Sequence, residues 1–335
     1  MKLKRFIHFA APITEVFTIL LVGNILAGLV LSQIVDTKIM SDPPTVESDF
    51  IQMTAVVSTS MVLRFGTMIV LAFFVYKLWH RNDRKQIFQQ WGVSTGKHSI
   101  GKLLGMGVVL WAVTILPLQI LFTVNQITPL GEGLPLWELQ DDIGFRTDFL
   151  IFFLFTSMII PPLLEETIAR GYIRSRIADS YGPIGGIILC ALIFTLAHGQ
   201  YFKGNVLLAS VLPIIIYATI GWAFVTWKTG SIIPGIVAHA IMNTPFPPGI
   251  ISFSSVIIFM IILIAIYRKE IKKYFEEFAI LWASSASKDV IIIASLSIML
   301  ILITIVLIDV AKLLWLVVFL IITIYAHITR DRQQV

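Results

Sequence analysis

Charge is what this chain has least of. Asp, Glu, Lys and Arg make up 13% of its 335 residues and hydrophobic residues 57%, whereas an ordinary soluble domain carries about 25% charged residues. Too few charges remain to solvate a surface of this size, which excludes a disordered chain, a coiled coil and a nucleic-acid-binding module. Cysteine is almost missing: the single Cys190 lies inside an apolar run, so no intrachain disulfide or cysteine redox motif exists. The apolar stretches do not alternate with polar residues, which argues against the strands of an outer-membrane barrel. What is present is a series of uncharged apolar runs, 206–227 and 290–308 among them, of the roughly 18–20 residues a helix needs to cross a ~30 Å hydrocarbon layer.

The expected fold class is therefore all-α: a polytopic transmembrane helical bundle of about 8 to 10 membrane helices, one of them broken. Apolar spans are expected near residues 10–35, 52–76, 103–125, 147–178, 184–199, 206–227, 231–243, 249–267, 290–308 and 310–328. The N-terminal Lys2, Lys4 and Arg5 precede a stretch that continues to about Val35 without a small-residue cleavage site, and it reads as a retained first span. If the spans alternate, Lys77, Arg81, Arg84 and Lys85, then Arg174 and Arg176, Lys228, the cluster Arg268 to Lys273, and Arg330 with Arg332 share one side. By the positive-inside rule that side is cytoplasmic, with both termini, in a plasma membrane. The net charge of +5 is thus read as topology.

Two stretches, 84–98 and 269–286, are amphipathic and expected to lie along the membrane surface. The turn Pro245-Phe246-Pro247-Pro248 ends the 231–243 helix inside the membrane, which is tolerable only where the freed backbone is buried in protein or faces water. The chain divides into an N-terminal pair with its surface helix (1–100), a central core (101–268), and a surface helix with a terminal hairpin (269–335).

Ionisable groups inside spans are expensive and are functional candidates by default. Glu165 and Glu166 follow the double proline Pro161-Pro162, and Arg170 lies four residues beyond Glu166, the favourable orientation for a helical ion pair. Glu165 points about 100° away and is left without that arginine. Phe194 and His198 share a helix face, as do His239 and Asn243. Counted at 1.5 Å per residue from the charged ends, Glu165, His198 and Asn243 fall at a depth of about 20 Å and His239 at about 14 Å. Four polar side chains from three helices are expected to converge. Glu15 and Arg64 are expected to pair across two early helices, and no Ser or Thr, Ser210 and Thr219 included, stands in a nucleophile-elbow setting.

The ordered set Glu165-Glu166-x-x-x-Arg170, Phe194-x-x-x-His198 and His239-x-x-x-Asn243 resembles the CPBP family of intramembrane proteases, which includes type II CAAX prenyl endopeptidases and bacteriocin-processing, immunity and abortive-infection proteins. The resemblance covers about 148–248. It implies a membrane-embedded endopeptidase in which Glu165 and His198 activate water, with His239 and Asn243 completing the site and Glu166, Arg170 and Phe194 supporting it. A carboxylate in a low-dielectric cavity suits a general base, and a neutral amide suits a developing oxyanion.

No cofactor is required by that reading, although Glu165, His198 and His239 form a set that zinc would accept, with a vacant position for water. Against zinc, the H-E-x-x-H helix is absent, and a liganding carboxylate is not free to act as base. The implied partners are the lipid bilayer and a membrane-associated peptide or protein, either a prenylated CAAX substrate or a small peptide precursor, and no nucleic acid. Two competing readings are a non-catalytic scaffold or immunity protein of the same fold, and a transporter, which would repeat its broken segment in another half of the chain.

Overall fold

The computed structural model describes residues 2–34, 45, 48–78, 84–132, 146–198, 201, 205–244 and 250–285. Among these there is helix and no strand. In chain order the helices are α1 (Lys2–Ile34), α2 (Phe50–Leu78), α3 (Arg84–Gln90) and α4 (Ile100–Ile127). Then come α5 (Thr147–Phe153), a π-helical turn (Leu154–Ile159), α6 (Ile160–Glu166), a second π-helical turn (Thr167–Ile173) and α7 (Arg174–Leu196). The remainder is α8 (Val206–Thr229), α9 (Ile233–Met242), α10 (Ile250–Ile266) and α11 (Arg268–Ala283).

The all-helical, membrane-spanning architecture is as expected, but the count is lower. Among the described residues five helices are long and apolar enough to cross a membrane, or six if the bent pair α10–α11 is one span. The difference has three sources. The expected spans 290–308 and 310–328, like the Pro245–Pro248 turn, lie outside the described residues. The 231–243 stretch forms a helix of 10 residues, too short to cross. The 147–178 and 184–199 stretches are joined without a loop, as one helical run from Thr147 to Leu196.

That run nevertheless reverses. Gly182 has φ 72° and ψ 173°, a conformation open to glycine and strained for other residues, and Pro183 follows it. Beyond this kink the chain packs back on its own preceding turns: a side chain at Gly186 would fall on the Arg174 carbonyl and Ala178, and Cys190 Sγ reaches the Ala169 carbonyl at 3.1 Å. The segment bearing the two glutamates therefore lies beside the one bearing Phe194 and His198.

Two large apolar clusters fill most of the described bundle, and a smaller one joins Phe50 to Phe149, Phe152 and Phe153. One large cluster joins α1, α2 and the π turn at 167–173 to α7 through Val16, Ala72, Tyr172 and Leu189, with Trp91 wedged in at the end of α3. The other joins α4, α8, α9 and α10 through Ile115, Trp222, Ala238 and Met260. Residues without bulk set the closest approaches, and a side chain at Gly107 of α4 would collide with Val237 and the Pro234 carbonyl of α9.

The expected surface helix 84–98 is corrected. Only Arg84–Gln90 is helical, and Ile87 and Trp91 are buried in the protein rather than laid on a bilayer. The backbone beyond it ties two parts of the bundle together. The Gln90 carbonyl accepts from Ser175 Oγ at 2.8 Å and Arg174 Nη2 at 3.1 Å, and the Gly92 carbonyl accepts from the Ile232 amide at 3.0 Å. The expected Glu15–Arg64 pair is also corrected. Glu15 is buried and accepts from Arg176 Nε at 2.9 Å and Tyr172 Oη at 3.1 Å, whereas Arg64 is exposed on α2. A buried carboxylate needs a buried cation, and the reversal of 147–196 supplies one. Within 269–286, α11 has no buried residue and leaves α10 at a 76° bend.

Candidate functional site

The acid-bearing helix α6 is irregular for a reason written in its sequence. Pro161 and Pro162 carry no amide hydrogen, so the Ser157 carbonyl lacks both its α-helical donor at i+4 and its π-helical donor at i+5. That carbonyl is taken up by another element: Asn243 Nδ2 donates to it at 3.0 Å. The π turns on either side of α6 change the angular position of successive residues, as such turns do where a helix carries function.

One residue after Glu165, Glu166 is fully buried, and its Oε1 is shared. Arg170 Nη1 donates to it at 3.0 Å, closing the pair expected from the i, i+4 spacing, and His239 Nδ1 lies 3.0 Å from the same oxygen. An ionised carboxylate paired with arginine only accepts, so the proton of this contact belongs on His239 Nδ1 and the Nε2 edge is turned to other partners. The approach depends on Gly235, where a Cβ would stand 2.9 Å from Glu166 Oε2. His239 was expected beside Glu165; it meets Glu166 instead.

Aromatic rings enclose this triad. The Arg170 guanidinium stands 4.2 Å from the Phe194 ring centroid and 5.2 Å from that of Trp222, geometry in which the ring quadrupole favours a desolvated cation. The Trp222 and His239 rings are 5.3 Å apart. Trp222 is itself fixed by its indole N–H, which donates to Thr114 Oγ1 at 3.0 Å, while the Thr114 hydroxyl donates to the Leu110 carbonyl at 2.7 Å. Thr114, Trp222, Gly235 and the Ser157 carbonyl were not singled out from sequence; for the last, the double proline was the available signal.

His198 sits just past the end of α7. Its Nδ1 lies 2.8 Å from the Phe194 carbonyl, an acceptor, so Nδ1 carries the hydrogen and a neutral ring presents the Nε2 lone pair outward. Its ring packs on Phe194, 4.6 Å between centroids, and stacks with Tyr201 at 6.1 Å. It lies within electrostatic reach of Glu165, His239 and Arg170. Glu165 is half-buried and makes no hydrogen bond among the described residues.

The structure thus joins Glu166, Arg170, His239, Phe194 and Trp222 by direct contact, sets His198 against Phe194, and ties Asn243 to Ser157. No three His, Cys, Asp or Glu side chains among the described residues gather closely enough to hold a metal ion. The zinc set Glu165, His198 and His239 is therefore not assembled, and a metalloendopeptidase reading finds no support in the arrangement.

Residues 147–245 match the family model described as type II CAAX prenyl endopeptidase Rce1-like. This stretch, under a third of the chain, is similar to that family, and it contains both glutamates, Arg170, Phe194, His198, His239 and Asn243. No curated protein and no solved structure matches the chain.

Proposed function

We propose, taking the CPBP-type domain in an integral membrane protein as premise, that this chain is an intramembrane endopeptidase. Its substrate is membrane-associated, a prenylated CAAX protein or a small peptide precursor. The observation that carries this reading is the division of labour between adjacent acids. Glu166 is committed to Arg170 and His239, while Glu165 is half-buried, uncommitted and within electrostatic reach of His198.

In the proposed reaction Glu165 takes a proton from a water that the His198 Nε2 lone pair helps to orient. A lone pair of the water oxygen forms a bond to the scissile carbonyl carbon, and the π pair of the C=O bond moves onto the carbonyl oxygen. Asn243 has a second amide hydrogen beyond the one given to Ser157 and offers it to that oxyanion. His239, held at Nδ1 by Glu166, completes the same site. Collapse of the intermediate breaks the C–N bond, and Glu165 returns its proton to the leaving amine. No step is routed through a metal. The domain division 1–100, 101–268 and 269–335 fits a central catalytic core with flanking membrane anchors, and the basic flanks support a reading with both termini on the cytoplasmic side of a plasma membrane.

Comparing membranes that hold wild type with membranes that hold Glu165→Gln, by mass spectrometry of accumulated precursors, tests the proposal. The variant should insert and melt like wild type and accumulate an uncleaved precursor, which also identifies the substrate. Equal peptide profiles, or equal turnover on a substrate accepted by wild type, favour the scaffold reading instead.

A further inference from the structure

We propose that α11 is a docking surface for anionic phospholipid headgroups, held at the membrane interface by the core of the protein. At 100° per residue the helix has three faces with different surroundings. Tyr274 and Phe278 turn inward onto Phe224 of α8, with centroids 6.2 and 5.2 Å apart and rings nearly perpendicular. On the edge of the same face Glu277 Oε1 meets Lys228 Nζ at 2.9 Å. These contacts fix the rotation of the helix about its axis.

With that rotation set, Phe275 and Trp282 emerge on the neighbouring face, 53% and 43% exposed, where the only medium that covers large apolar side chains is hydrocarbon. The level is marked independently. Tyr267 at the bend and Trp227 at the end of α8 are 42% and 36% exposed, and such amphipathic rings collect at the boundary between headgroups and acyl chains. The 76° turn from α10 lays α11 along that boundary rather than across it.

The remaining face carries Lys269, Lys272 and Lys273, with Arg268 at its border with Phe275, all exposed and within six residues. Glu270 lies on the far edge, and Glu276 faces Lys272 at 3.7 Å with both side chains well exposed, an offset that still leaves four basic residues of this stretch against two free acids. Glu277 is engaged with Lys228. Cationic excess is therefore concentrated in the first half of the helix at headgroup depth. A zwitterionic bilayer would cover Phe275 and Trp282 but leave the ammonium groups without complementary charge. Phosphatidylglycerol-type headgroups supply it, with attraction near the surface equivalent to roughly five-fold per lysine.

Hydrogen–deuterium exchange over 268–283 in nanodiscs of phosphatidylcholine, alone or mixed with phosphatidylglycerol, reads the interaction directly. Exchange of the wild type should slow by about three-fold or more in the anionic discs, a difference that high salt should erase. The Lys269→Gln/Lys272→Gln/Lys273→Gln variant should lose the difference and the Arg triple variant keep it. Native mass spectrometry should find phosphatidylglycerol retained by wild type in preference to phosphatidylcholine. Equal exchange of wild type in the two discs overturns the proposal without recourse to any variant, and leaves the basic face for an acidic protein segment. A Gln variant that folds, by helicity and melting temperature, yet retains the lipid preference overturns it as well.

Discussion

Glu165 and Glu166 are chemically identical neighbours, and their surroundings divide them. Glu166→Gln should leave the buried Arg170 without its counter-charge and His239 without its acceptor. We expect a loss of about 3–5 kcal/mol in stability, read as a lowered melting temperature in detergent, whereas Glu165→Gln should melt as wild type does. The ion pair was legible from the sequence because helix geometry fixes what lies four residues away. The contact between His239 and Glu166 was not legible, since it joins positions 73 apart and no periodicity encodes such a meeting. What the sequence held was a weaker sign: Gly235, four residues before His239, is where the passing helix can come within reach of a carboxylate.

At the scale of the element, the double proline does more than bend a helix. By withholding two amide hydrogens it reserves the Ser157 carbonyl for Asn243. In Pro161→Ala/Pro162→Ala that carbonyl regains intrahelical donors in competition with the side chain. Turnover should fall roughly five- to ten-fold, the worth of one hydrogen bond, without loss of stability. The same substitutions in an Asn243→Ala background should add little further, so a double-mutant cycle on a reconstituted, accepted substrate checks the coupling. The short helix before the Pro-rich turn could be read in advance because proline acts locally. The 84–98 segment could not: an amphipathic pattern reports that one face is apolar but not what covers it, and the cover for Ile87 and Trp91 is protein.

For the whole molecule, α1 lies outside the matched stretch and is nonetheless joined to it at a buried charge. Removing one partner should be worse than removing both. Glu15→Gln strands Arg176 in an apolar setting and should cost a few kcal/mol, while Glu15→Met/Arg176→Met, which fills the volume without charge, should melt closer to wild type. Equal melting of the single and double variants would show that the pair is not buried in the membrane-embedded protein. The bundle class followed from composition alone; the number of spans did not, because hydropathy registers an apolar stretch such as 231–243 without telling whether its helix is long enough to cross.

The pairing of Glu15 with Arg176 also has a schedule. The two residues are separated by 161 positions, so at about 5–20 residues per second the ribosome completes the arginine roughly 8–30 s after the glutamate. During that interval α1 carries a carboxylate within its apolar span, a costly group in hydrocarbon, with its partner not yet synthesised. The place of α1 in the bundle thus waits on a segment made long after it, the reversed pair around Gly182 that brings Arg176 to receive its charge.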